Sequence, residues 1–235
     1  MLFFKKPNLE GKVSILIAVR GDSRYTLELC VKSIIKNTDY QDYQFIICDD
    51  SVDESTGKYL IELEKTIGAR IIKSTNPGIP KDDLVRAVDT PYYIFMHDDI
   101  KIRRKDWLRR RLAEMSKDPK NAIVGTVVKN FGNNKIKRFF PLGLLVKTEI
   151  SEKLGLHWGK LSDRGLDTGG PAYQQFFAQK EYKFVPYKIS RDIYHLGSMT
   201  WVTCKDKNFP DIDRLKEERE QKIQLIKTWL EQNKY

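Results

Sequence analysis

Cysteine is scarce in this chain of 235 residues. The three present are an odd number without the paired spacings that hold zinc, so neither a disulfide framework nor a zinc finger is expected. Cys30 falls on a helical stripe and Cys48 inside an apolar run, and both read as buried thiols in a reducing compartment. Long hydrophobic stretches are missing too. No apolar run approaches the roughly 20 residues of a membrane-spanning helix. The opening "MLFFKKPNLEGK" carries no long apolar segment behind a basic start, so a secretory leader is not expected and the expected location is cytoplasmic. Repeats, low-complexity tracts and Pro/Gly/Ser-rich linkers are absent, which leaves nothing to divide the chain. Acidic charge is the minority: 42 Lys and Arg against 32 Asp and Glu give a net charge of +10. That balance implies anionic partners, namely nucleotides, phosphates, nucleic acid or an acidic membrane surface, without choosing among them.

What is present is a regular alternation. "KVSILIAV" (Lys12 to Val19) is a β-branched run of the kind covered on both faces. After the turn "RGDS", with Ser23 placed as an N-cap, Leu27, Cys30, Val31, Ile34 and Ile35 recur at helical spacing. "YQFIICDD" reads as a second buried strand. Asp53 and Gly68 bracket a second helix as its N-cap and C-terminal stop. "ARIIKS" is a third strand, residues 81–88 a modest helix, and "YYIFM" a fourth strand. Such β-α-β-α-β-α-β order predicts an α/β fold with a parallel, doubly wound sheet.

The second half is less regular. Asp106 is placed to cap a helix with Leu108, Leu112 and Met115 inward. "AIVGTVV", "GLLVK" and "YKFVPYKI" read as strands, and "GGPAYQQFFAQK" as a helix. Residues 211–232 read as a long charged helix whose stripe Ile223, Ile226, Trp229 and Leu230 packs on the domain. The basic run "KIRRKDWLRRR" reads as a solvated face, or as a patch for an anionic acceptor or membrane surface.

Two of the strands end in paired acids, Asp49–Asp50 and Asp98–Asp99. Sheets of this kind bind ligands beyond the carboxyl ends of their strands, so both pairs are expected at one edge. Adjacent carboxylates repel each other, and a cation between or beyond them relieves the repulsion.

Taken together, "VSILIAVRGDSRYTLELCVKSI", "FIICDDSVDEST", "YYIFMHDDI", "LDTGGPAYQQFFAQKEYKFVPY" and "YHLGSMTW", in that order, resemble the inverting family 2 glycosyltransferases of the GT-A fold. The resemblance implies a Rossmann-like, mostly parallel sheet with helices on both faces. It implies one domain over about residues 1–210, with a nucleotide-binding half of about 12–103 and an acceptor half of about 104–210, and a C-terminal amphipathic helix over 211–235. It also implies a nucleotide-sugar donor, a UDP-sugar favoured, and a divalent cation, Mn2+ or Mg2+. On that reading Asp99 binds the metal, and Asp98 contacts the ribose or holds a metal-bound water. Asp50 or its neighbour Asp49 accepts a hydrogen bond from the base. The turn over Ala18, Val19, Arg20 and Gly21 offers backbone groups to the nucleotide, and Lys81 faces the diphosphate. Asp167 is the base that deprotonates the acceptor hydroxyl, with Asp163 second. His195 is a further metal ligand, a phosphate contact or a structural histidine; His97 and His157 read as structural.

The chain also departs from the family pattern. His97 stands at the first position of the DxD-type triplet, and Leu166 stands where many members have Glu. The QxxRW motif of processive synthases is absent, which favours a non-processive enzyme adding one sugar to a glycan, lipid-linked or other anionic acceptor, with peripheral membrane contact in reach. Two other classes remain open at this point: a nucleotidyltransferase of related fold, and a basic nucleic-acid-binding protein. "AVRGDSRY" lacks the Gly-rich loop of sugar-nucleotide pyrophosphorylases, and no RNP-like strand supports nucleic-acid binding.

Overall fold

The computed structural model of the protein describes residues 11–51, 53–75, 80–130, 133–160, 168–197 and 212–232. The first half alternates as expected: β1 (Val13–Gly21), α1 (Arg24–Lys36), β2 (Tyr43–Ser51), α2 (Glu54–Ile67), β3 (Arg70–Lys73), α3 (Pro80–Arg86) and β4 (Tyr92–His97). Then follow β5 (Ile100–Ile102), α4 (Trp107–Ser116), β6 (Asn121–Asn130), β7 (Asn133–Lys147), α5 (Thr148–Lys153), α6 (Gly170–Ala178), β8 (Lys183–Pro186), a 3-10 turn (Ile189–Arg191), β9 (Ile193–His195) and α7 (Ile212–Gln232).

The main sheet has the order β3-β2-β1-β4-β7-β6-β8, and β5 and β9 form a second, two-stranded sheet. β1 to β4 are mutually parallel, while β7 runs antiparallel to both β4 and β6. Alternation along the strands divides the core between two faces. On one, Val13, Ile15, Ile17 and Val19 pack with Leu27 and Ile34 of α1, Leu60 of α2 and Trp107 and Leu112 of α4. On the other, Leu16, Ile46, Cys48 and Phe95 pack with Leu84 of α3, Ile150 of α5 and Phe176 of α6. Strands covered on both sides have no polar face to show, which is why they read as unbroken apolar runs.

Local signals held where one interaction dominates. Asp53 accepts a hydrogen bond from the Thr56 backbone N–H at 2.8 Å, and Gly68 takes a left-handed φ of 65°. Ser23 occupies the N-cap position of α1 but donates its hydroxyl to the Arg20 carbonyl at 2.9 Å, so it makes no capping bond. Asp106 likewise leaves α4 uncapped and pairs with Arg104 at 3.1 Å. Both thiols are buried as expected, and burial pushes them up, Cys48 to about 11. α7 lays Ile223 and Ile226 on Leu29 of α1, with Trp229 and Leu230 beside them. Arg219 of α7 donates to the Asp22 carbonyl and carboxylate at 2.9 and 3.0 Å, and Lys222 to the Leu196 carbonyl at 2.9 Å. Among the described residues, no helix is long and apolar enough to cross a membrane.

A buried ion pair sets the position of β9. Arg111 of α4, fully buried, donates to Asp192 at 2.9 Å, to the Gly143 carbonyl of β7 at 3.0 Å and to the Trp107 carbonyl at 2.8 Å. Tyr187 adds a hydroxyl bond to the same carboxylate at 2.7 Å. Breaking such a pair strands a buried charge, which costs about 3–5 kcal/mol. Arg111→Met should therefore lower unfolding stability by that order in urea titrations; a change below about 1 kcal/mol would mean the pair is not what fixes this region.

Candidate active site

Parallel pairing aligns the carboxyl ends of β1, β2 and β4. Ala18 sits opposite Cys48 on one side and His97 on the other, and Arg20 lies opposite Asp50. Residues of both acid pairs, the turn after β1 and the triplet His97–Asp98–Asp99 thus meet at one edge of the sheet.

The two acids of β2 have different surroundings, because neighbours in a strand face opposite sides. Asp49 is buried against β3, where its register partner Lys73 forms an ion pair with it and Ser51 donates from both backbone and hydroxyl at 3.0 and 2.6 Å. Burial opposes its ionisation, but those hydrogen bonds outweigh burial and hold the carboxyl below the usual range. Asp50 faces the other way, half-buried, with Arg20 Nε at 3.6 Å. Burial raises its pKa, Asp49 adds to the rise and Arg20 opposes it. Asp49 is thus committed to its own strand neighbours, while Asp50 lies beside Arg20 at the carboxyl end of β1. Val19 is fully buried in the core, so its part at the edge is confined to backbone groups.

Beyond β4 the chain turns directly into β5, and β9 pairs antiparallel with it in a register that sets His195 opposite Ile100. His195 is thereby held beside Asp99: its Nε2 lies 3.0 Å from Asp99 Oδ1. His97 Nδ1 lies 3.3 Å from the same His195 nitrogen and 4.0 Å from the Asp99 oxygen. His97, Asp99 and His195 thus bring three ligand-type atoms within 4.8 Å of one another. Asp98, equally buried, lies outside that cluster. Burial alone would lower the His195 pKa, but the Asp99 hydrogen bond and the charges of Asp99 and Asp98 raise it above the ordinary value. His97 is pushed the other way, by burial first and then by the positive charges of Lys81, His195 and Arg138, with Asp99 opposing. Lys81 of α3 and Arg138 of β7 therefore both bring positive potential to this edge. A neutral imidazole, a carboxylate and a second imidazole form a donor set suited to a divalent cation.

Asp163 and Asp167 lie outside the described residues, but the chain on either side of them is anchored. Asp82 of α3 accepts from the backbone N–H groups of Trp158 and Gly159 at 2.7 and 3.0 Å, and lies 3.0 Å from His157 Nδ1. On the far side Arg138 donates to the Thr168 carbonyl at 3.1 Å, and Gly169 donates to the Trp158 carbonyl at 3.0 Å. Gly169 has a φ of +81°, and a Cβ there would collide with the Phe139 carbonyl oxygen, so the position demands glycine. This glycine is also the N-cap of α6.

The sequence alone reads His97 as a structural histidine, whereas the fold brings its Nδ1 within 3.3 Å of His195 Nε2. The available signal was spacing: residues two apart near a strand end project to the same side, which pairs 97 with 99 rather than 98 with 99. Arg138 and Asp82 carried no such signal, since their roles depend on contacts distant in sequence.

Residues 14–179 match the family described as Glycosyl transferase family 2. Among solved structures, the mannosyltransferase PcManGT from Pyrobaculum calidifontis, in complex with GDP-Man and Mn2+, superposes with a TM-score of 0.63 at 14% identity, covering 95% of this chain and 73% of that one. TarS from S. aureus (1–349) gives 0.59 at 11% identity, covering 88% and 70%. The same TarS fragment in complex with UDP-GlcNAc gives 0.52 at 14% identity, covering 75% and 59%. At such identities these likenesses speak for the fold. No curated protein matches the sequence.

Proposed function

The chain belongs to glycosyl transferase family 2, and from that premise we propose that it is a metal-dependent transferase that moves one sugar, with inversion, from a nucleoside-diphosphate donor to an acceptor hydroxyl. The observation that carries the reading is the cluster at the carboxyl edge of β4, where Asp99 and His195 converge on the same sheet edge as the acid-bearing end of β2, with β1 between them. PcManGT was solved with a GDP-sugar and Mn2+ and TarS with a UDP-sugar, which supports the donor class; a UDP-sugar remains our choice for this chain.

Each residue then has a task. Asp50 accepts a hydrogen bond from the base, and the backbone of Ala18 to Gly21 lines the nucleotide. Lys81 and Arg138 put positive charge where the diphosphate lies. Asp99 and His195 hold the divalent ion, Mn2+ or Mg2+, and Asp98 faces the ribose. The chemistry that such an ion supplies is charge neutralisation of the departing diphosphate. The acceptor oxygen attacks the anomeric carbon from the face opposite the diphosphate. The bond to the diphosphate oxygen breaks with its electron pair, and Asp167, with Asp163 as second choice, takes the hydroxyl proton. The absence of the processive motif supports transfer of a single sugar, which we take to be a hexose. The exposed Arg103, Arg104 and Lys105 of the basic run 101–111 support an anionic or lipid-linked acceptor in contact with a membrane surface, whereas Arg111 at its end is buried against Asp192 and takes no part in such a patch.

A thermal-shift panel of UDP, GDP, dTDP, CMP and their sugars, with Mn2+ and with EDTA, tests this. A nucleoside diphosphate at about 100 times its dissociation constant should stabilise the fold by about 2.7 kcal/mol with Mn2+ present. No shift with any of them in Mn2+ would defeat the proposal. Steeply salt-dependent binding of DNA or RNA in place of nucleotide would favour the nucleic-acid reading instead.

A further inference from the structure

The geometry points to His97 as a third protein ligand. We propose that His97, Asp99 and His195 together bind a first-row transition ion before any nucleotide arrives, and select it over magnesium. This rests on the transferase reading and deepens it. A site made of one or two carboxylates plus substrate phosphates fills only when the donor supplies its oxygens, and such sites suit Mg2+. Here three side chains already converge. Their separations are 3.0, 3.3 and 4.0 Å. Donors about 2.1 Å from a common ion lie roughly 3.0 Å apart in adjacent octahedral positions and roughly 3.4 Å apart in a tetrahedron. The 3.0 Å separation meets the octahedral value and the 3.3 Å one lies between the two, while the 4.0 Å one must close by about 0.6 Å for a tetrahedron or about 1.0 Å for an octahedron, a movement of the His97 ring.

Each ligand is also held from behind. Asp99 is buried, with its carbonyl bound by the Leu196 N–H at 2.9 Å. His195 is fixed by the β5–β9 register and, through Asp192 three residues earlier, by the buried Arg111. The His97 carbonyl accepts from Cys30 Sγ at 3.3 Å, and its ring stands edge-on to Phe140 with centroids 5.7 Å apart. Preorganisation of this kind removes most of the ordering cost of binding. Two imidazole nitrogens with one carboxylate favour Mn2+, Fe2+ or Co2+ over Mg2+, whose preferred partners are oxygens.

The test is Mn2+ titration of the full chain, with no nucleotide, followed by EPR. Wild type should bind Mn2+, and Mg2+ in about 100-fold excess should fail to displace it. His97→Ala should weaken Mn2+ binding by more than about 10-fold, the lower end of the loss when even a supporting metal contact is removed. Pulsed EPR of the Mn2+-loaded wild-type chain should show coupling to two imidazoles, a readout that needs no variant to fold. Coupling to one imidazole, or unchanged affinity in His97→Ala, would overturn the proposal and reduce the His97–His195 contact to a hydrogen bond. Uptake of Mn2+ only alongside a nucleoside diphosphate would also overturn it while leaving the transferase reading intact. If the chain takes up neither Mn2+ nor any nucleoside diphosphate, both fail.

Discussion

Asp99→Asn should abolish metal-dependent nucleotide binding and lower sugar transfer by on the order of 10²–10³-fold, the rate equivalent of several kcal/mol of lost charge stabilisation. Asparagine preserves the size of the side chain and an oxygen for His195, whose Nε2 is 3.0 Å away. The fold should therefore survive, and a thermal melt of the variant without ligand should stay close to wild type. The negative charge is what goes, and with it the reason for two imidazoles and a buried carboxylate to converge. Donor turnover measured in wild type and variant, each with Mn2+ and with EDTA, checks the expectation. Full activity in the variant, or activity indifferent to EDTA, would remove the metal role from Asp99.

The second large effect concerns the proton. Asp167→Asn should lower transfer by about 10²–10⁴-fold, the usual contribution of a general base, with donor affinity nearly unchanged. The competing role for an acid just ahead of a helix is an N-cap, whose loss costs about 1 kcal/mol of stability and little activity. The N-cap position of α6 itself is held by Gly169. Asp163→Asn measured beside it separates the candidates: if only the Asp163 variant loses transfer, the base is Asp163. Steady-state transfer and donor affinity on both variants give the answer.

The sequence was most legible where one physical requirement governs a whole segment. β1, β2 and β4 must be apolar on both faces, so their runs show plainly and the parallel order follows. Asp53 and Gly68 bracket α2 because each meets a purely local demand. Legibility fell where partners are distant. β7 is 15 residues long, yet its first ten mix lysine, arginine and proline, because this stretch leaves β4 and pairs only with β6. β5 and β9 have three residues each, too few to show a period, and each exists only because the other is there. α5 has six residues, again too short to carry a stripe. In the candidate site, the paired acids marked the edge of the sheet at which His97, Asp99 and His195 converge. Which member of each pair matters was a question of side-chain direction and of neighbours such as Lys73, which sequence spacing does not carry.

Anomalous diffraction at the manganese edge, from crystals grown with Mn2+ and the nucleoside diphosphate that gives the largest thermal shift, tests the central claim most directly. The account predicts one strong peak within bonding distance of Asp99 and His195, with the diphosphate on its open side and the base toward Asp50. A nucleotide bound elsewhere, or a metal peak away from the carboxyl edge of β4, would contradict it.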